Sequence, residues 1–353
     1  MGEKAAVLVT AAGGIIGEGI IKSLRLANKK RGATSYEVLA ADASPQAAGL
    51  YRADEGFLVP RASEQDYVGR LVKIAKENDV RAIFVGADEE LGVVASAAGR
   101  IRKESGAVTI SNSKETIAIG SDKWKTYEFM KRNGLPRAES ALPKDRERFV
   151  KEFGFPFIVK PREGYGSEGF HNVGGKGELD HAIEAIRRMG WRPMLQEFLA
   201  EADNEFTTGV TVGRGKKVMS SISMRRSLKG GQTYKAFIDD FPDVRKAAEE
   251  VALRLGGSGP VNIQARMAKG EPKLFEVNPR FSASCPIRAA AGVNEPDILY
   301  RNFVLGEETR TRGYEKLVCL RYWNEVYLPY KDYAKAKKTG KVSGSASWIP
   351  DYF

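Results

Sequence analysis

Short apolar segments that alternate with helically spaced ones restrict the first 110 or so residues of this 353-residue chain more than any other feature. Ala5 to Thr10, Tyr36 to Ala41, Arg81 to Gly86 and Ala107 to Ile110 read as strands, while Ile15 to Leu26, Ser63 to Glu77 and Glu89 to Lys103 carry apolar residues at helical spacing. Strands joined through helices are too far apart in sequence for hairpins, so they pair in parallel, with helices on both faces. An α/β domain with a parallel sheet is therefore expected over residues 1–113.

The rest of the chain has a different pattern. From about Ser113 a helix is expected at Asp122 to Asn133, stopped by Gly134-Leu135-Pro136. A strand at Pro156 to Pro161 then runs into a glycine-rich loop, and a helix follows near Gly177 to Met189. Pro193 to Phe281 reads as an antiparallel sheet interrupted by a helix at Asp243 to Leu255, closed by helices near Ile287 to Phe303. This is α+β sequence, with boundaries expected at 114–192, 193–305 and a 306–353 tail. The tail after Tyr330 is rich in lysine and tyrosine, then in glycine and serine, and is expected to be poorly ordered. With 42% hydrophobic and 29% charged residues, the chain can build two or three cores.

Composition also narrows the function. The 56 basic and 45 acidic residues give +11, but the charge is dispersed. Short clusters at Lys29-Lys30-Arg31, Arg225-Arg226 and Lys335 to Lys338 do not form a basic arm, so nucleic acid is not an expected partner. No apolar run reaches the roughly 18 to 20 residues of a membrane span, and no signal pattern opens the chain. A cytoplasmic protein without membrane contact is expected, its oligomeric state left open, a homo-oligomer included. Cys285 and Cys319 are expected as buried thiols, and two histidines, His171 and His181, leave no basis for a His-rich metal site.

Three segments carry candidate chemistry. Ala11-Ala12-Gly13-Gly14-Ile15-Ile16-Gly17 links a strand to a helix, and Asp42 ends the next strand. That pattern suits either a dinucleotide phosphate with a ribose-binding acid or simple close packing, and an NAD(P)-dependent oxidoreductase is the alternative it supports. Lys160, at the end of Phe157 to Pro161, precedes Gly164-Tyr165-Gly166-Ser167-Glu168-Gly169, which places a fixed charge and backbone amides around a polyphosphate, or forms a plain hairpin turn. Finally, Gly259 to Gln264 is followed by Leu274-Phe275-Glu276-Val277-Asn278-Pro279-Arg280. Strand alternation puts Glu276, Asn278 and Arg280 on one face and sends Phe275 and Val277 into the core. Two oxygen ligands beside a guanidinium suit magnesium and phosphate, whereas a dehydrogenase leaves that group unexplained.

The ordered set Asp122-Lys123, Val159-Lys160-Pro161, the glycine loop, Gln196-Glu197-Phe198-Leu199, Asn204-Glu205-Phe206-Thr207, Asn262-Ile263-Gln264 and Phe275 to Arg280 resembles the ATP-grasp superfamily, in particular the carbamoyl-phosphate synthase large subunit. The resemblance spans roughly residues 5 to 305. It implies a Rossmann-like pre-ATP-grasp domain followed by a two-lobed ATP-grasp fold. It further implies Lys123 and Lys160 on ATP phosphates under a loop containing Gly164, Gly166, Ser167 and Gly169. Glu197, Phe198 and Leu199 would form the adenine hinge, and Glu205 would accept from ribose. Mg(2+), or Mn(2+), would sit on Glu276, Asn278 and Gln264, with Arg280 on the phosphoryl group. Met224 to Lys235 looks like a substrate-side loop with Arg225 and Lys235 as ligands, or like solvated surface charge. One module and a short tail make amide or peptide ligation from small carboxylate and amine substrates the expectation, rather than carbamoyl-phosphate synthesis. A non-catalytic nucleotide-binding module is a further alternative.

Overall fold

The structure, a computed structural model, describes residues 4–29, 34–164, 168–199, 204–308, 311, 313–343 and 347–351. Strands β1 (Ala5–Val9), β2 (Tyr36–Asp42), β3 (Glu55–Leu58), β4 (Ala82–Phe84) and β5 (Val108–Ile110) form the parallel sheet expected from the alternation, in the order β3-β2-β1-β4-β5. Helices α1 (Ile15–Asn28), α2 (Tyr67–Glu77) and α3 (Asp88–Ser105) connect it, and apolar clusters lie on both faces. The short strand β3 was not expected, because Glu55-Gly56-Phe57-Leu58 offers too little apolar periodicity to read as one.

The N-terminal glycine loop is used for packing. A Cβ at Gly17 would stand 2.2 Å from Ala11 O, and one at Gly86 would stand 2.0 Å from Thr10 O, so close approach of the β1 and β4 ends demands glycine at both. Asp42, the acid placed for a ribose, instead accepts from Gly13 N and from Ser44 N, both at 2.8 Å. Its two oxygens close the loop that a dinucleotide would need open.

After α4 (Lys114–Gly120) and α5 (Lys123–Arg132), a small antiparallel sheet contains β6 (Ser140–Ala141), β7 (Phe157–Pro161), β8 (His171–Val173) and β9 (Pro193–Glu197), in the order β6-β9-β7-β8. It packs on α6 (Arg146–Phe153) and α7 (Lys176–Arg188). Because β9 pairs with β6 and β7, this lobe runs past the boundary expected at residue 192.

The large antiparallel sheet contains β10 (Glu205–Val212), β11 (Val218–Lys229), β12 (Gln232–Ile238), β13 (Gly259–Ala268), β14 (Glu271–Asn278) and β15 (Leu317–Leu320), in the order β14-β13-β10-β11-β12-β15. One face buries α8 (Pro242–Arg254), and the other is covered by α9 (Cys285–Ala290) and α10 (Glu295–Leu305). The segment expected as a closing loop, Met224 to Lys235, belongs to the β11–β12 hairpin. Gly230 and Gly231, at φ +58° and +72°, make its turn.

The tail also differs from expectation. Helix α11 (Tyr330–Thr339) leads into β16 (Lys341–Ser343), which pairs antiparallel with β3 and closes the edge of the first sheet, with Ala336 and Val342 joining its core. Edge pairing orders a segment whose composition alone reads as loose. No helix among the described residues is long and apolar enough to cross a membrane.

Candidate functional site

Capping fixes the first lysine. Asp122 accepts from Trp124 N at 2.9 Å and Lys125 N at 3.3 Å, an N-cap that starts α5 with Lys123 as its first residue. The same carboxylate takes Arg162 Nε at 3.2 Å and Nη2 at 2.5 Å, and Lys123 N donates to Arg162 O at 2.8 Å. Burial raises the Asp122 carboxyl, but Arg162 and the cap amides outweigh it and hold the group below the usual range. The end of β7 and the start of α5 are thus clamped together, and Lys123 Nζ donates to Gly164 O at 2.8 Å where the glycine loop begins. Gly166 and Ser167, with Tyr165, lie outside the described residues. Gly169, at φ +69°, sits where a Cβ would meet Pro161 Cγ at 2.9 Å.

Lys160 on β7 is buried. Its Nζ donates to Gln196 Oε1 on the neighbouring β9 at 2.8 Å and lies 5.5 Å from the centre of the Phe275 ring. Burial, joined by the charge of Lys123, pushes its amine down to about 7 even though Glu276 and Glu205 pull the other way.

Across from these lysines is the end of β13 and β14. Their register sets Gln264 opposite Glu276 and Asn262 opposite Asn278. Asn278 Nδ2 donates to Glu276 Oε1 at 3.2 Å. Arg280 donates through Nη2 to Asn278 Oδ1 at 3.0 Å, through Nη1 to Phe281 O at 3.2 Å, and through Nε to Asp88 Oδ1 at 2.9 Å, which ties the site to the first turn of α3. Burial raises the Glu276 carboxyl, yet Lys123, Lys160 and Arg280 together hold it below the usual range. An ionised carboxylate beside amide oxygens is a hard-oxygen donor set of the kind magnesium takes. Three protein oxygens from Glu276, Asn278 and Gln264 would leave the remaining positions of a six-oxygen shell to phosphate or water.

Phe275 departs from the alternation. The register shifts between Gln264 and Ala265, so Ala265 pairs with Leu274 and Phe275 is left as the extra residue. Leu274 and Val277 enter the core, and Phe275 turns toward Lys160.

Other expected residues sit elsewhere. Both oxygens of Glu205 are engaged: Arg226 donates to Oε1 from Nε at 3.1 Å and Nη2 at 2.8 Å, and Arg266 Nη2 donates to Oε2 at 2.9 Å. Arg266 Nη1 also donates to Leu199 O at 3.1 Å, so one side chain joins the hinge segment to Glu205. Glu197 Oε1 accepts from Glu139 N at 2.7 Å, and Phe198 is half-buried beside it. Arg225 and Lys235 are on the wrong face. Arg225 pairs in register with Phe206, a residue of the α8-side core, and stacks 4.8 Å over Phe237. Lys235 is exposed and lies two residues from Phe237 on the same face of β12. Arg226, the second arginine of the doublet, takes the site face because Glu205 lies directly across from it. Sequence reasoning missed Arg226, Arg266 and Asp88. In the doublet the signal was present, but a one-residue ambiguity flips the face.

Residues 192–324 match the family model described as ATP-grasp in the biosynthetic pathway with Ter operon, and residues 12–109 match the PylC-like N-terminal domain. The carbamoyl phosphate synthase large chain of Vibrio cholerae is 25% identical over 301 residues, covering 75% of this chain and 27% of that one. Its counterpart from Methanosarcina barkeri is 23% identical over 319 residues, covering 82% and 29%. The chain therefore spans a little over a quarter of the length of these relatives. Among solved structures, a biotin carboxylase β,γ-ATP complex from Campylobacter jejuni superposes with a TM-score of 0.69 at 19% identity, covering 88% of this chain and 73% of that one. N5-carboxyaminoimidazole synthetase from Staphylococcus aureus, complexed with ADP, gives 0.67 at 15%, covering 96% and 86%. At those identities the likeness is one of fold. The matches at residues 12–109 and 192–324, with the curated relatives, make the chain similar to ATP-grasp proteins.

Proposed function

We propose that the protein is an ATP-dependent ligase that joins a small carboxylate to an amine or ammonia through an acyl-phosphate, releasing ADP and phosphate. The observation that carries this reading is the placement of Lys123, Lys160 and Arg280 around the ionised Glu276. The domains we propose are a pre-ATP-grasp unit up to about residue 113, a lid lobe that includes β9, and a core built on the large sheet.

Magnesium, or manganese in its place, held through Glu276, Asn278 and Gln264, would neutralise phosphate charge. Lys123 and, when protonated, Lys160 offer positive charge to the polyphosphate. Arg280, held by Asp88 and Asn278, presents a guanidinium where the substrate carboxylate meets the transferring phosphoryl group. A carboxylate oxygen attacks the γ-phosphorus and ADP leaves. The amine nitrogen then attacks the acyl carbon, loses a proton, and phosphate leaves. Arg225 and Lys235 take no part in this scheme.

An ADP-release screen over paired carboxylic acids and amines tests the reaction. ADP formed only when both substrates are present supports it, and nucleotide binding without turnover on any pair favours a non-catalytic module. Mg-ATP is expected to raise the thermal midpoint, since a ligand specific to the native state adds about 2.7 kcal/mol at a hundredfold excess over Kd. NADH is expected to leave the midpoint unchanged, because Asp42 already closes the N-terminal loop. Stabilisation by NADH alone would overturn the reading.

The position of Lys160 gives a pH prediction. With its amine down at about 7, the free protein holds the proton at pH 6 and has lost most of it by pH 8. A bound polyphosphate favours the charged form, so binding takes up a proton. ADP affinity measured without metal is expected to weaken by about tenfold from pH 6 to pH 8. Calorimetry in buffers of different ionisation heat should register proton uptake near pH 7.5, and Lys160→Met should abolish it. In the absence of nucleotide the same shift makes stability rise with pH between about 7 and 10.5, because the unfolded chain holds the proton there and the folded chain does not.

A further inference from the structure

The ion pair between Arg288 on α9 and Glu295 at the start of α10 plays no part in the scheme above. Arg288 has no exposed surface, and its Nη1 donates to Glu295 Oε1 at 3.0 Å and Oε2 at 2.9 Å. Its Nη2 donates to Asn262 Oδ1 at 2.6 Å and reaches Thr207 Oγ1 at 3.4 Å, while Thr207 Oγ1 donates to the same Asn262 oxygen at 2.8 Å. Its buried Nε has no partner. The pair also takes space from the middle of the large sheet. A Cβ at Gly209 would stand 1.9 Å from Glu295 Oε1 and 2.2 Å from Arg288 Nη1, so this position in β10 must stay without a side chain. Two buried charges, an unpaired N–H and a glycine inside a strand all cost stability that an apolar pair would not. Stability does not account for the arrangement.

Orientation does. A guanidinium only donates, so Asn262 has one amide rotamer that suits Arg288 and Thr207: carbonyl oxygen toward them, NH2 away. That NH2 has no hydrogen-bond partner among the described residues. Asn262 lies directly opposite Asn278 and beside the Gln264 and Glu276 pair in the β13–β14 register. We propose that Arg288, anchored by Glu295, is a positioning residue that keeps the NH2 of Asn262 toward the Glu276 and Asn278 edge. Asn262 is thereby a donor to phosphate oxygens and not a cation ligand. The inference rests on the nucleotide reading of the same site.

The test uses the full chain in EDTA, with calorimetric titration of adenosine 5′-(β,γ-imido)triphosphate and, separately, of adenosine. Arg288→Met/Glu295→Leu replaces the pair by apolar groups of similar size and is expected to keep or raise the thermal midpoint. It is expected to bind the triphosphate analogue about tenfold more weakly, the worth of one hydrogen bond to a charged acceptor, with adenosine affinity unchanged. Asn262→Asp pairs with Arg288 and folds, yet has no donor, and is expected to lose analogue affinity by at least as much. It decides the matter should the double variant not fold. Unchanged analogue affinity in either folded variant, or an equal loss for adenosine, overturns the inference. A wild-type chain that binds the analogue no better than adenosine overturns the nucleotide reading and this inference together.

Discussion

Glu276→Gln protein is expected to fold, to bind adenosine within about threefold of wild type, and to lose ADP release by a hundredfold or more. The substitution keeps the side chain's length and an acceptor oxygen for Asn278 Nδ2, so the strand end has no steric cause to rearrange. It removes the one carboxylate among Gln264, Glu276 and Asn278, and with it the charge that makes this donor set attractive to magnesium. A second effect runs in the same direction. Glu276 supports the charged form of Lys160, so without it that amine falls further. Metal and lysine are weakened together, so the loss in turnover should exceed the loss in nucleotide affinity. Steady-state ADP release with the best substrate pair, alongside circular dichroism, reads the outcome. Turnover near the wild-type rate in folded protein would defeat the assignment of Glu276 to the metal.

The parallel sheet, the placement of Lys160 before a glycine loop and the Glu276-Asn278-Arg280 edge were legible because each is written in local pattern, whereas Lys123 came only with the resemblance. Alternating apolar and helically spaced segments carry β1, α1 and β2, and the spacing of two carries Glu276 and Asn278 to one face. What escaped depends on pairing between distant segments. The turn of Phe275 toward Lys160 follows from a register shift against β13, and strand periodicity within β14 holds no trace of it. The swap of Arg225 for Arg226 follows from Glu205 lying across the β10–β11 pair. Ordering of the tail follows from an open edge on β3, where Val342 pairs with Gly56, 286 residues earlier in the chain, and no window on the tail alone reveals that edge. The N-terminal glycines left two readings open: Gly13, Gly14 and Gly17 have the composition of a phosphate loop, but the demands on Gly17 and Gly86 are those of packing.

Arg280→Lys separates charge from shape beside the Glu276 and Asn278 edge. The guanidinium reaches Asp88, Asn278 and Phe281 O at once, and a lysine amine on a flexible stem cannot span all three. Charge is retained, so Glu276 should stay ionised and the nucleotide should bind within about threefold of wild type. The fork is lost, and with it the fixed alignment of a donor pair on the carboxylate and the phosphoryl group. Because that alignment matters chiefly while the phosphoryl group is in transfer, the expected loss is in kcat, by about a hundredfold, with KM for ATP little changed. The Asp88 contact supplies an internal control. Asp88→Asn keeps Arg280 in place with a neutral acceptor, and is expected to lower kcat by less than about tenfold, since it alters only how firmly the guanidinium is held. If Arg280→Lys instead raises KM for ATP and spares kcat, Arg280 binds the nucleotide in its ground state, and its role in transfer is refuted.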